Sequence, residues 1–299
     1  MTNRTSGLWP LLGTYVLWGF SPVFYRAMSG VPAAEVLAHR TLWSLVLFGL
    51  VLAAQGRLAA LPRALASRHL GRIALAAVAI SANWGMFIWA VQNGHVMESS
   101  LGYYVFPLVA VVLGIVLFGE RLNGGQRLAV GMAALGVALL TWGLGAAPWI
   151  SLVLAVSMGV YGVVKKALPL DPVLSVTAEV AVLSPVALAW LVALHAGWLP
   201  KWAGNGRFGD DAWVTLLLIL SGPMTAVPLM LFALGAQRAN LATVGLLGYL
   251  NPTLQLLCAV ALLGEPFTFW HGVAFPIIWA ALAIYSAATW RRSGARADA

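Results

Sequence analysis

The sequence is short of charge. Only 9% of its 299 residues are Asp, Glu, Lys or Arg, against 61% hydrophobic, whereas soluble chains carry roughly a quarter charged residues. With a mean hydropathy of +0.89, a water-soluble globular domain is excluded. Cysteine is scarce as well: Cys258 stands alone in an apolar stretch, so no disulfide framework exists. There is no His/Cys metal spacing, no Walker loop, no helix-borne HExxH motif and no nucleophile–base constellation. These absences argue against an enzyme, against a bound metal or other cofactor, and against nucleotide-driven pumping by this chain alone. The polar start Met1 to Gly7 leads into a span holding Gly19 and Pro22 without a small-residue cleavage site, so that span is expected to stay. The net charge of +8 is scattered over short loops, a pattern of membrane topology rather than of nucleic-acid binding.

What is present is a series of long apolar runs. A bilayer core takes about 20 apolar residues per helix. Candidate spans are Leu8 to Met28, Pro32 to Ala54, Ile73 to Val91, Ser99 to Gly119 and Gln126 to Leu144. They continue with Trp149 to Val164, Pro172 to Leu194, Trp213 to Ala236, Leu241 to Gly264 and Thr268 to Trp290, ten in all. With the N-terminus in the cytoplasm, 13 of the 17 Lys and Arg residues fall on that side; Arg26, Lys201 and Arg207 fall outside, and Arg40 lies within a span. The positive-inside rule therefore places both termini in the cytoplasm.

The chain also repeats itself. The run Leu101 to Glu120 resembles Leu246 to Glu265, and one shift of 145 carries Tyr104 onto Tyr249, Pro107 onto Pro252, Gly119 onto Gly264, Glu120 onto Glu265 and Gln92 onto Gln237. A shift of 140 carries Gly19 onto Gly159, Arg26 onto Lys166 and His39 onto Glu179. This reads as an internal duplication, with units 1–145 and 146–290 and a basic tail at 291–299. Five helices per unit insert the halves in opposite orientations, the inverted-repeat plan with a binding site near the membrane midplane between the halves.

Gly19, Pro22, Pro107, Pro228 and Pro252 interrupt spans and are candidate hinges; glycine in such helices also serves close packing. Glu35, His39, Arg40 and Glu179 are charged or titratable groups within spans. An uncompensated charge there costs about 2.5–3.5 kcal/mol, so each should be paired, wet or near an end. Glu35 opens a helix after Pro32, where the dipole favours an acid, and His39 and Trp43 share its face. Arg40 lies one step round, free to pair with an acid elsewhere. Glu179, about 12 Å along its helix, is either a functional charge or a structural partner of Arg40 or of a serine. The interior aromatic and amide residues Trp18, Tyr25, Asn83, Trp84, Trp89, Tyr103, Tyr104, Tyr161, Tyr249 and Asn251 are candidates for lining a cavity. Trp9, Trp142, Trp149, Trp198, Trp213 and Trp290, at span ends, read as interface anchors.

Several segments carry a resemblance along nearly the whole chain: Trp18-Gly19, Val31-Pro32-Ala33-Ala34-Glu35 with His39-Arg40, Asn83-Trp84 with Phe87-Ile88-Trp89, Ser100-Leu101-Gly102-Tyr103, and Pro107-Leu108-Val109. Gly119-Glu120-Arg121, Tyr161-Gly162 with Lys165, Glu179 with Pro185, Val227-Pro228-Leu229, and Pro252-Thr253-Leu254 with Gly264-Glu265 continue it. Together they resemble the EamA type of the drug/metabolite transporter superfamily, and within it the RarD-like subgroup. Phe106 departs from that pattern, which has Asn before the first proline. The resemblance implies an all-α integral membrane protein with two inverted five-helix repeats around a central cavity. It also implies export of small metabolites across a bacterial inner membrane by alternating access. Ten helices can form a complete cavity in one copy, so a monomer is expected. Neutral and aromatic amino acids are the leading substrates, with Glu179 meeting the ammonium and Arg40 or His39 the carboxylate. Amphenicol-type drugs are a second class. A cationic multidrug exporter would be expected to carry a deep acid in the first span, where none occurs. A non-transporting membrane scaffold is the rival from another class.

Overall fold

The computed structural model describes residues 7–118, 122–144, 148–238, 244 and 247–297. Among them every regular element is a helix, since in lipid an apolar segment satisfies its own N–H and C=O groups only as a helix or a closed barrel. In chain order these are α1 (Leu8–Arg26), α2 (Ala33–Ala54), the short α3 (Ala60–Leu65), α4 (Leu70–Gln92), α5 (Val96–Phe118), α6 (Gly124–Leu144), α7 (Trp149–Lys166) and α8 (Pro172–His195). A 3-10 turn (Lys201–Ala203), α9 (Ala212–Leu220), α10 (Pro223–Arg238), α11 (Leu250–Leu257) with a π turn (Cys258–Leu262), and α12 (Phe269–Ala297) follow. Asp171 and Asp211 start α8 and α9 by accepting the backbone N–H of Leu174 and of Val214, as N-cap acids do.

Against the ten expected spans, eight described segments are long and apolar enough to cross a bilayer, α9 and α10 counting as one. Two expected spans are not among these eight. Helix α1 has 19 residues, but its Trp, Tyr, Gly and Pro content dilutes its hydropathy. Of Leu241 to Gly264, the structure describes only the shorter apolar helix Leu250–Leu262 as such. Pro252 also differs from expectation. Pro107 lies inside the continuous α5, whereas a turn at Tyr249 restarts the helix and puts Pro252 in the first turn of α11, where a missing N–H costs little. Arg4, Gly119, Glu120 and Arg121 lie outside the described residues, as do the side chains of Gln237, Trp290, Arg291, Arg292 and Arg296.

The helices interlock in pairs: α5 on α7, α6 on α12, α2 on α8, α4 on α7 and α8, and α1 on α10 and α11. Lipid tails are as apolar as side chains, so helices associate through close packing and hydrogen bonds, which favours small residues at contacts. A Cβ on Gly19 would stand 2.5 Å from Leu254 Cβ, one on Gly102 would stand 2.9 Å from the Ser151 carbonyl, and one on Gly159 2.9 Å from Leu113 Cδ1. Hydroxyls of neighbouring helices also satisfy carbonyls beside the breaks. Ser100 donates to the Pro252 carbonyl (2.7 Å), Thr14 to that of Pro228 (3.1 Å) and Ser44 to that of Gly222 (3.3 Å), between α9 and α10. Trp9, Trp142, Trp149, Trp198 and Trp213 are exposed at helix ends, as interface anchors should be.

Candidate functional site

Arg40 lies seven residues into α2, Tyr103 seven into α5, and Trp84 eight before the last residue of α4. At 1.5 Å per residue, each sits about 10–12 Å below the same end of the bundle, the end of the 27–32 connection. There they meet. The Arg40 guanidinium lies 4.0 Å from the centre of the Trp84 ring and 5.6 Å from that of Tyr25. Phe87 stands edge-on to both Tyr25 and Tyr103, with centroids 5.9 Å away in each case. Tyr103 donates to Asn83 Oδ1 (3.0 Å), and Asn83 Nδ2 in turn donates to the Leu154 carbonyl (2.9 Å) and Ser157 Oγ (3.1 Å) of α7. The amide locks the phenol in place and ties α4 and α5 to the second half of the chain.

Arg40 is 6% exposed. Its Nε is buried without a hydrogen-bond partner, and among the described residues its electrostatic neighbours are the phenols of Tyr25 and Tyr103, not a carboxylate. A cation–π contact offsets about 0.5–2 kcal/mol of an insertion cost of about 2.5–3.5 kcal/mol. The remainder is a standing attraction for an anionic group.

The other candidates fall elsewhere. His39 stacks on Phe208 at 4.5 Å, beside Glu35, which takes no part in the aromatic cage. The fully buried Glu35 carboxylate accepts the backbone N–H groups of Arg207 (2.9 Å) and Phe208 (3.0 Å) and lies 3.4 Å from His195 Nε2. It holds the α8–α9 connection over the start of α2. Glu179 and Tyr161 form a second cluster about 10 Å below the opposite end. Lys165 Nζ is 2.7 Å from Glu179 Oε1, and Ser175 (3.0 Å) and Tyr161 (3.1 Å) donate to the same carboxylate. Of the two structural partners expected for Glu179, the serine is present and Arg40 is not. Tyr104 is buried against Phe275 and Trp279 with its hydroxyl 2.6 Å from Thr253 Oγ1. Trp18 packs on Tyr15 and Phe232, Asn251 Oδ1 accepts from Gln255 (3.0 Å), and the Tyr249 hydroxyl is 3.5 Å from Ser286 Oγ. Trp89 stacks on His95 and lines a cavity of about 410 Å³ with Val31, Pro32, Gln92, Gly204 and Arg207. That cavity lies at the bundle end, above the Arg40 cage, and not at the mid-depth expected for a chamber.

Sequence reasoning named neither Phe87 as a cage residue nor Lys165 as the partner of Glu179. Both had a signal: Phe87 is four residues after Asn83, and Lys165 four after Tyr161, so each pair shares a helix face. Phe208 sits in a loop and had none.

Membrane-length helices enclosing buried polar and charged groups define an integral membrane protein. Comparison with known proteins gives the same class and narrows it. The model of the EamA-like transporter family matches residues 5–142. Protein RarD of Streptomyces exfoliatus is 41% identical over 99% of this chain and 94% of its own length. An uncharacterised transporter, PA0485 of Pseudomonas aeruginosa, is 41% identical over 94% of this chain and 93% of its own length. A solved crystal structure at 18% identity shares the fold, with a TM-score of 0.59 over 95% of this chain and 98% of that one. The chain belongs to the EamA-like transporter family of the drug/metabolite transporter superfamily, alongside the RarD proteins. Its activity is transport and not catalysis.

Proposed function

We propose that this chain exports small zwitterionic metabolites, neutral and aromatic amino acids first among them, across a bacterial inner membrane. It does so by alternating access between two oppositely inserted five-helix halves, 1–145 and 146–290. Both termini and the basic tail at 291–299 face the cytoplasm, and one copy suffices. The observation that carries the reading is the buried Arg40 guanidinium, which has no hydrogen-bond or ion-pair partner among the described residues and lies against Trp84 and Tyr25, with Phe87 and Tyr103 packed beside them. A guanidinium fork matches a carboxylate, and the rings match an apolar side chain.

Support for the two halves comes from contacts that repeat at the shifts seen in the sequence. Asn83 bonds to Leu154, and their counterparts Pro228 and Thr14 bond to each other. Gly19 packs on Leu254, and their counterparts Gly159 and Val109 also touch, with a Cβ on Gly159 reaching 3.2 Å from Val109 Cγ1. Rocking of one half on the other would bend the chain at Gly19, Pro22, Pro107 and Pro228 and at the turn before Pro252.

Reconstitution into liposomes tests the proposal. Counterflow of labelled phenylalanine, against a panel of amino acids and chloramphenicol, is expected to be saturable and to need the protein. Equal rates in protein-containing and empty vesicles for every solute would overturn it. Repeating the assay with an imposed pH gradient shows whether protons are coupled to the movement.

A further inference from the structure

The charges around the cage are unequal in a way that bears on which end of an amino acid is recognised. The chain has nine acidic residues, of which Glu120 and Asp298 lie outside the described residues. Every other carboxylate is already engaged. Glu35 holds the amides of residues 207 and 208, Glu98 faces His95, and Asp171 faces Arg57 and the Leu174 amide. Glu179 faces Lys165, Asp210 faces Arg207, Asp211 caps α9, and Glu265 holds the amides of Val96 and Met97. An ammonium group finds no better host among the rings. The Trp84 face is covered by Arg40 at 4.0 Å, and Asn83 Oδ1 is taken by the Tyr103 hydroxyl at 3.0 Å. Arg40, by contrast, has no hydrogen-bonded or ion-pair partner among the described residues, and its Nε is sealed from solvent.

On the reading that this cage is the transport site, we propose that Arg40 sets a selectivity for carboxylates. The recognised substrate class is an aromatic or apolar carboxylate, and the α-ammonium group of an amino acid adds nothing to binding. A deaminated analogue should therefore bind as well as the amino acid, while the decarboxylated amine should not. Glu179, held by Lys165, is not the ammonium acceptor.

The test uses the full chain in liposomes, with labelled L-phenylalanine counterflow and two competitors, 3-phenylpropanoate and phenethylamine. Phenylpropanoate is expected to compete within about threefold of unlabelled phenylalanine, and phenethylamine about tenfold or more worse. Arg40→Gln should weaken competition by phenylpropanoate about tenfold or more. Because the substitution removes an uncompensated buried charge, it should leave the melting temperature in detergent unchanged or raised. If that variant does not fold, the competitor ranking on the unmodified protein decides. Phenylalanine flux blocked by phenethylamine and untouched by phenylpropanoate would overturn the selectivity while the amino-acid reading stands. If phenylalanine does not move, the melting shift induced by phenylpropanoate decides. A shift that phenethylamine does not produce keeps the carboxylate site and ends the amino-acid reading; no shift ends both.

Discussion

Replacing Lys165 by methionine takes away the cation 2.7 Å from Glu179 Oε1. The Glu179 side chain is 1% exposed and that of Lys165 24%, so the acid is the partner left stranded. Stranding one member of a buried pair costs about 3–5 kcal/mol. Here the hydroxyls of Ser175 and Tyr161 continue to donate to the carboxylate, and the lysine end borders solvent, which lowers the expected loss to about 2–3 kcal/mol. Glu179→Gln leaves a lysine that can turn toward water and should lose less, about 1–2 kcal/mol. The double variant strands nothing and should return to within about 1 kcal/mol of the parent. Denaturant unfolding of the four proteins in detergent measures the cycle, with a coupling of about 2–5 kcal/mol expected. Additive losses would refute the reasoning. The same proteins separate a structural pair from a substrate contact: phenylalanine counterflow by the double variant should stay within about twofold of the parent. A folded double variant that no longer transports would restore Glu179 as the ammonium-binding group.

Two further outcomes follow from the geometry. A Cβ on Gly102 would meet the Ser151 carbonyl and Leu154 Cβ at 2.9 Å each, while one on Gly131 meets nothing within 4 Å. Gly102→Ala should therefore lower stability by about 1–3 kcal/mol, and Gly131→Ala should raise it by about 0.5–1 kcal/mol, both read by melting in detergent; equal effects would refute the α5–α7 contact. At the start of α8, burial works to raise the Asp171 carboxyl, but the hydrogen bonds from Arg57 and the Leu174 amide outweigh it and hold it below its ordinary range. A depressed acid stabilises the fold above its unfolded pKa and stops doing so as pH falls through the folded one. The melting difference between the parent and Asp171→Asn should thus be constant from pH 8 to 5 and close only below about pH 4. A gap that closes near neutrality would refute the assignment.

Much of the bundle was legible in the chain because lipid leaves few choices. Runs of about 20 apolar residues must be helices, and the described helices begin and end within a few residues of most expected spans. The pattern is fainter where a helix is dilute in apolar residues, as in α1, and it does not reveal the turn at Tyr249 before Pro252. The site was legible as a set of residue types but not as a grouping. Tyr25, Arg40, Asn83, Trp84 and Tyr103 do come together. Tyr104, Tyr249 and Asn251 do not join them, being taken up near α11 and α12.

The sequence by itself determined a membrane-embedded, all-helical build and a short list of ionisable groups inside it, and its repeated segments raise the expectation of a duplicated layout. Hydrophobic length and internal repetition are properties of the string. Only the tertiary structure decided which of those groups are satisfied. Glu35 is consumed by loop amides and Glu179 by Lys165, while Arg40 meets aromatic faces but no hydrogen-bond or ion-pair partner among the described residues. Pairing depends on a few ångströms between groups that lie up to 173 positions apart in the chain, as the Phe208 amide and the Glu35 carboxylate do. Helical periodicity can set the face on which a charge lies, but not what the neighbouring helix places opposite it.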